Sequence, residues 1–243
     1  MSKKDIYQLL EQKMLSYRDY MDIPVIPEED EVGFVPVQPS TVLGVNPMSR
    51  DSIQYTGNEI MLRSAVADKL YWAGQELKTL DKHLQLELVY GYRALEVQEE
   101  LFQEARSSLA AEYDDEQELL AAAHRQIAVP DVAGHPTGGA VDVHILRDGE
   151  PVGMGTKVWD YSTRDAFTFS PFISREAWEN RQLLRRAMMA AGFAPFDGEW
   201  WHFSYGDKEW AKYYGKEGAL YGQVAAQDID IRKTIDELSS STR

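Results

Sequence analysis

The chain has 243 residues, 44% of them apolar and 11% aromatic, which is enough for a core and excludes global disorder. Twenty-five Lys and Arg against 40 Asp and Glu leave a net charge of −15, which repels phosphate backbones and argues against a nucleic-acid partner. There is no cysteine, so disulfides and thiolate chemistry are excluded together, and any metal must be held by histidines and carboxylates.

In chain order, the first twenty or so residues predict a short helix with Ile6, Leu9, Leu10 and Met14 on one side. The basic start is not followed by an apolar run long enough for a signal peptide, and no stretch approaches the ~18 residues of a membrane span. A cytoplasmic protein with no membrane partner is the resulting expectation. From Ile23 to Pro47, five prolines and the acidic run Glu28-Glu29-Asp30-Glu31 predict an extended surface segment. Leu62, Val66, Leu70, Ala73 and Leu77 form one stripe of a helix over 59–77. Leu84, Leu86, Leu88 and Tyr90 then alternate with other residues as a half-buried strand, which runs into Gly91-Tyr92-Arg93. A second helix carries Leu95, Leu101, Phe102, Ala105 and Leu109. The Gly- and Pro-rich stretch 132–139 reads as a loop and 140–146 as a strand, with Val141, Val143 and Ile145 on one face and Ala140, Asp142 and His144 on the other. After a turn-rich excursion from Asp148, a helix is predicted over 175–191, with Trp178, Leu184, Ala187 and Met188 inward and Gly192 as its cap. Residues 193–205 are aromatic and strand-like, and from Gln223 the chain reads as a peripheral helix or tail. Helices mixed with alternating strands, without regular βαβ spacing, predict an α+β fold with a small, mostly antiparallel central sheet. The division expected is an N-terminal extension over 1–22, a catalytic domain over 23–222 and a tail over 223–243.

Of five histidines, two keep unusual company. His135 lies in the loop His135-Pro-Thr-Gly-Gly-Ala, and Asp142 follows on the strand; Gly138 and Gly139 permit a tight turn that lets the two converge on one ion. The same residues fit equally a surface-loop histidine and an aspartate on a solvated strand face. The second constellation, Gly198-Glu199-Trp200-Trp201-His202-Phe203, embeds a carboxylate and an imidazole in bulky aromatics. On a flat strand Glu199 and His202 would face opposite sides, so a shared site requires a bulge or turn. Arg93 ends a strand and can hold an oxyanion or a carboxylate, although lone arginines more often make surface ion pairs. Two imidazoles and one carboxylate on a metal, with a further acid and an arginine nearby, form the equipment for hydrolysing an amide bond through an activated water.

His135-x-x-Gly138-x-Ala140-x-Asp142 followed by Glu199-Trp-Trp-His202 resembles the zinc D-alanyl-D-alanine dipeptidases of the LAS-type DD-peptidase group, which includes the vancomycin-resistance dipeptidases. Gly91-Tyr92-Arg93, Met154-Gly155-Thr156 with Asp160, and the block from Asn180 through Gly192-Phe193 to Ala211 extend the resemblance over about Tyr55 to Tyr214. It implies one Zn²⁺ per chain on His135, Asp142 and His202, with Glu199 as general base and Arg93 as stabiliser of the carbonyl oxygen. It further implies a small dipeptide substrate whose ammonium group Asp160 receives. Two positions depart from the family pattern: Ala133 replaces a serine two residues before the first histidine, and Ala94 replaces a proline. The first bears on substrate selectivity, which keeps a DD-carboxypeptidase or a dipeptidase for other D- or L-dipeptides as the alternative. A non-catalytic relative of the Hedgehog type is disfavoured because Glu199 and Arg93 are both retained. His144, on the strand face of Asp142, is a candidate partner for it; His83 and His124 are expected to be exposed.

Overall fold

The computed structural model describes residues 1–26 and 33–229, so the acidic run 28–31 and most of the C-terminal tail lie outside the described residues. The first half of the chain contains α1 (Lys3–Glu11), β1 (Phe34–Pro36), β2 (Leu43–Val45), α2 (Ile53–Thr56), β3 (Met61–Arg63) and α3 (Ser64–Leu80). Next come β4 (Leu84–Tyr90), α4 (Leu95–Leu109), α5 (Glu116–His124), β5 (Ala140–Arg147) and β6 (Glu150–Pro151). The last part is α6 (Arg175–Ala190), β7 (Ala194–Pro195), β8 (His202–Ser204) and α7 (Lys208–Tyr213). Strands β2–β4–β5–β8–β7 form one sheet in that order, with β6 on β5, and only the β2–β4 pair is parallel. The α+β class and the mostly antiparallel sheet are therefore as the sequence predicts.

The core forms on one face of this sheet. Leu84, Leu86 and Leu88 of β4 lie beside Val143 and Ile145 of β5 and join Leu70 and Leu77 of α3 and Leu184 and Met188 of α6 in one buried cluster. Each fully buried side chain of this size is worth about 1.5–3 kcal/mol in removed apolar surface, so this layer fixes the register. The opposite face of β5, with Asp142 and His144, is also buried; Trp159 lies on Asp142 and Glu87 pairs with His144. Alternation along β5 thus separates a core face from a site face rather than inside from outside.

Several sequence expectations need correction. The helix over 59–77 starts only at Ser64, because Met61–Arg63 pairs with β1 as a strand, and it continues to Leu80. The Pro-rich segment is not confined to the surface: Phe34 and Leu43 are buried, and β1 and β2 lie within it. Helix α5 lacks an obvious stripe but carries a start signal, as Asp115 accepts hydrogen bonds from the backbone of Gln117 and Glu118. Residues 193–205 form two short strands separated by a turn, not one strand. Trp178 is 43% exposed; the inward position is taken by Arg181, whose guanidinium donates to the carbonyls of Met154, Asp165 and Phe167. In α1 the buried residue is Tyr7, while Leu9 is exposed. Gly192 follows the end of α6 at φ +91°, as expected for a left-handed cap. Among the described residues no helix is long and apolar enough to cross a membrane.

Candidate active site

Three neighbouring strands place Tyr90, Asp142 and His202 in a row, because the register pairs Asp142 with Tyr90 on one side and with His202 on the other. Tyr90 reaches this face through a register shift between Leu88 and Tyr90, an irregularity of the bulge type. Unbroken alternation would have sent it into the core with Leu84, Leu86 and Leu88, as the sequence pattern suggested. His135 comes from outside the sheet, on the short 3-10 turn His135–Thr137. Gly138 closes that turn at φ +73°, and a Cβ there would fall 2.3 Å from the Phe34 ring. The chain can return to β5 so abruptly because this residue has no side chain.

His135 Nε2 lies 3.5 Å and His202 Nδ1 3.0 Å from the same oxygen, Asp142 Oδ1. The two imidazole centroids are 4.9 Å apart, and one ligand atom from each of the three residues falls within 4.8 Å of the others. The remaining polar atoms are tied back. His135 Nδ1 donates to the Gly91 carbonyl at 2.8 Å, which leaves the lone pair on Nε2. Trp159 Nε1 donates to Asp142 Oδ2 at 2.7 Å, which leaves Oδ1 for the cluster. Donor atoms facing one point, with His135 and Asp142 each oriented by a partner behind it, suit a metal site, and two imidazole nitrogens with one carboxylate oxygen suit zinc. Burial opposes charge on all three residues. It holds the His135 pKa below its usual value, whereas His135 and His202 outweigh it at Asp142, whose pKa is lowered. Burial also opposes charge on His202, but Asp142 overcomes it and raises that pKa to about 9. An ionised Asp142 flanked by two imidazoles is a donor set that a divalent cation can share once His202 gives up its proton.

The turn between β7 and β8 meets the geometric demand posed by Glu199 and His202. Glu199 N–H donates to the Phe196 carbonyl and His202 N–H to the Glu199 carbonyl, so the chain folds back here, and the Glu199 carboxyl feels the charges of His202 and Asp142. Burial among the aromatics, reinforced by the charge of Asp142, pushes the Glu199 carboxyl up to about 7 against the pull of His202 and Arg93. A carboxylate poised near neutrality can both take and return a proton. Arg93 is held from three sides: Nε donates to Tyr90 Oη at 2.8 Å and to Asp51 at 3.2 Å, and Nη1 to Gln98 at 2.8 Å.

The other residues singled out in the sequence have partners of their own. Asp160 is occupied by Ser162, whose backbone N–H and hydroxyl donate to its Oδ1. His144 pairs with Glu87 at 2.5 Å rather than with Asp142. His83 is exposed beside Asp148. Against expectation, His124 is largely buried: its ring lies 4.5 Å from that of Tyr17, and its Nδ1 accepts the Val129 N–H. Sequence reasoning missed Trp159, Tyr90, Asp51 and Gln98.

Comparison with known proteins identifies the family. The family described as D-ala-D-ala dipeptidase, peptidase family M15, matches residues 46–217. A D-alanyl-D-alanine dipeptidase from Synechocystis is 26% identical over 239 residues, covering 85% of this chain and 97% of that protein. A D-alanyl-D-alanine dipeptidase from Enterococcus faecium is 31% identical over 84 residues, 34% of this chain and 41% of its own length. Among solved structures, the LdcB LD-carboxypeptidase is 19% identical, with a TM-score of 0.43 over 87% of this chain and 79% of its own. The family match spans well over half the sequence: the chain belongs to the D-Ala-D-Ala dipeptidase family and is a zinc metallopeptidase.

Proposed function

We propose that the protein hydrolyses D-alanyl-D-alanine to two D-alanines. In this reading His135, Asp142 and His202 hold one zinc ion per chain, Glu199 is the general base and Arg93 steadies the charge that develops on the scissile carbonyl oxygen. One observation carries the reading: three ligand atoms from a turn and two strands lie within 4.8 Å of one another, beside a carboxylate whose pKa is near 7. A zinc ion there supplies Lewis acidity and a water that ionises near neutral pH. Glu199 takes a proton from the attacking water and later passes it to the amine nitrogen as the C–N bond breaks. The aromatic turn around Glu199 keeps bulk water away, which strengthens each of these charge interactions. Arg93 cannot lose its proton, and its three partners fix its direction before substrate arrives, so little reorganisation is needed as negative charge grows. Asp160 receives the substrate ammonium by exchanging its bond to Ser162 for one to the dipeptide.

The family description and the relatives' names support D-Ala-D-Ala as substrate, and Ala133 marks the position where selectivity is most open to change. The test is hydrolysis by zinc-loaded protein of stereochemically defined dipeptides, alongside a pentapeptide ending in D-Ala-D-Ala. Rapid cleavage of free D-Ala-D-Ala with the pentapeptide left intact supports the dipeptidase. Preferential cleavage of the pentapeptide would assign a carboxypeptidase instead.

A further inference from the structure

The segment 153–173 sends Trp159 to the site face of the sheet and is fastened to α6 on both sides of that residue. Asn180 donates to the Gly153 carbonyl and Arg181 to that of Met154 at one end, and Arg181 to Asp165 and Phe167 at the other. Between these ends stands Trp159, at φ +59°. Among the described residues only Asp148, in a surface turn, shares a positive φ without being glycine. For a bulky aromatic residue this conformation is strained and persists only where its surroundings hold it.

The contacts of its indole identify what does. Nε1 donates to Asp142 Oδ2 at 2.7 Å, and the ring meets Tyr90 edge to face at 5.8 Å. Tyr90 in turn packs against His135 at 4.9 Å and accepts from Arg93. Two residues on, Tyr161 packs against Trp201 at 5.8 Å. The polar contact of the indole is to the site, while Trp159 and Trp201, the partner of Tyr161, also join the main core cluster.

We infer that Trp159 is a positioning residue that ties the loop carrying Asp160 and Tyr161 to Asp142, so that metal binding and substrate binding depend on one indole hydrogen bond. Holding Oδ2 turns Oδ1 towards His135 and His202, and the same bond holds the loop down beside the row formed by Tyr90, Asp142 and His202. Partners behind metal ligands commonly set their orientation and basicity. Here the partner belongs to the substrate-side loop, so loosening either end loosens the other, and by linkage the coupling acts in both directions. The inference rests on the reading of His135, Asp142 and His202 as zinc ligands.

Trp159→Phe keeps an aromatic ring and removes only the N–H. Zinc affinity, measured by competition with a chromophoric chelator, is expected to fall about 10–100-fold in this variant. At saturating zinc the KM for D-Ala-D-Ala should rise more than kcat falls. The thermal midpoint of the metal-free protein should stay near that of the parent, which separates positioning from folding. Should the variant not fold, the assigned Trp159 indole resonance of the parent protein decides, since it must move when zinc is titrated in. Unchanged zinc affinity in Trp159→Phe, or an indole resonance indifferent to zinc, overturns the inference. Failure of the parent protein to bind zinc would instead defeat the ligand assignment beneath it.

Discussion

Glu199 and Arg93 are held in opposite ways, and each predicts a different response to substitution. Glu199 owes its position to a backbone turn and its raised pKa to burial, so exchanging its side chain leaves the ligands in place. Glu199→Gln should retain stoichiometric zinc and lose about 10²–10⁴-fold in kcat, and a variant with parental kcat would remove Glu199 from the proton path. Arg93 depends on side chains, above all on Asp51, which binds both its Nε and the Tyr90 hydroxyl. Asp51→Asn keeps the shape but weakens a charge-assisted pair worth about 1.5–3 kcal/mol, so kcat should fall roughly 10–100-fold with zinc affinity unchanged. Parental turnover would show that Asp51 does not orient the arginine. At this scale the sequence was legible where chemistry is local: the spacing from His135 to Asp142 and from Glu199 to His202 is visible in the chain. Asp51 lies 42 residues before Arg93, and nothing in its own neighbourhood marks it.

At the scale of elements, long and periodic segments were readable and short or irregular ones were not. The bounds of β4 follow from pattern alone, α4 contains all five apolar residues read along it, and α6 differs by a single residue, because each repeats its apolar residues over two or more turns or pleats. Strands β1, β2, β3 and β8 have three residues each, too few to show a period, and they exist because partners elsewhere in the chain complete them. The shift in β4 that brings Tyr90 to the site is likewise a tertiary event. The end of α5 supports a prediction about pH. Burial, assisted by Arg125, lowers the His124 pKa from 6.5 to about 4, and its Nδ1 is engaged as an acceptor. Between these values the unfolded chain binds a proton that the folded chain does not. This contribution to stability is therefore complete above pH 6.5 and is lost as pH falls towards 4, by about 3 kcal/mol. Denaturant titrations of the parent and His124→Gln across pH 4–7 should give a steeper slope for the parent; equal slopes would contradict the assignment.

Across the whole molecule, the site is a meeting point of separately secured pieces. The segment preceding the family match is part of this assembly: Tyr7, Tyr17 and Tyr20 are buried, the Tyr7 hydroxyl bonds Asp165 and Ser170, and Tyr17 covers His124. Helix α6 holds the loop that carries Trp159 from the other side through Arg181. The net charge of −15 disfavours binding to polyanions. The central claim is that His135, Asp142 and His202 share one zinc ion. Anomalous diffraction at the zinc edge from crystals of the zinc-loaded protein tests it most directly. A single strong peak about 2.0–2.2 Å from His135 Nε2, Asp142 Oδ1 and His202 Nδ1 is the predicted result. A peak elsewhere, or none among these three side chains at full zinc occupancy in solution, would contradict it.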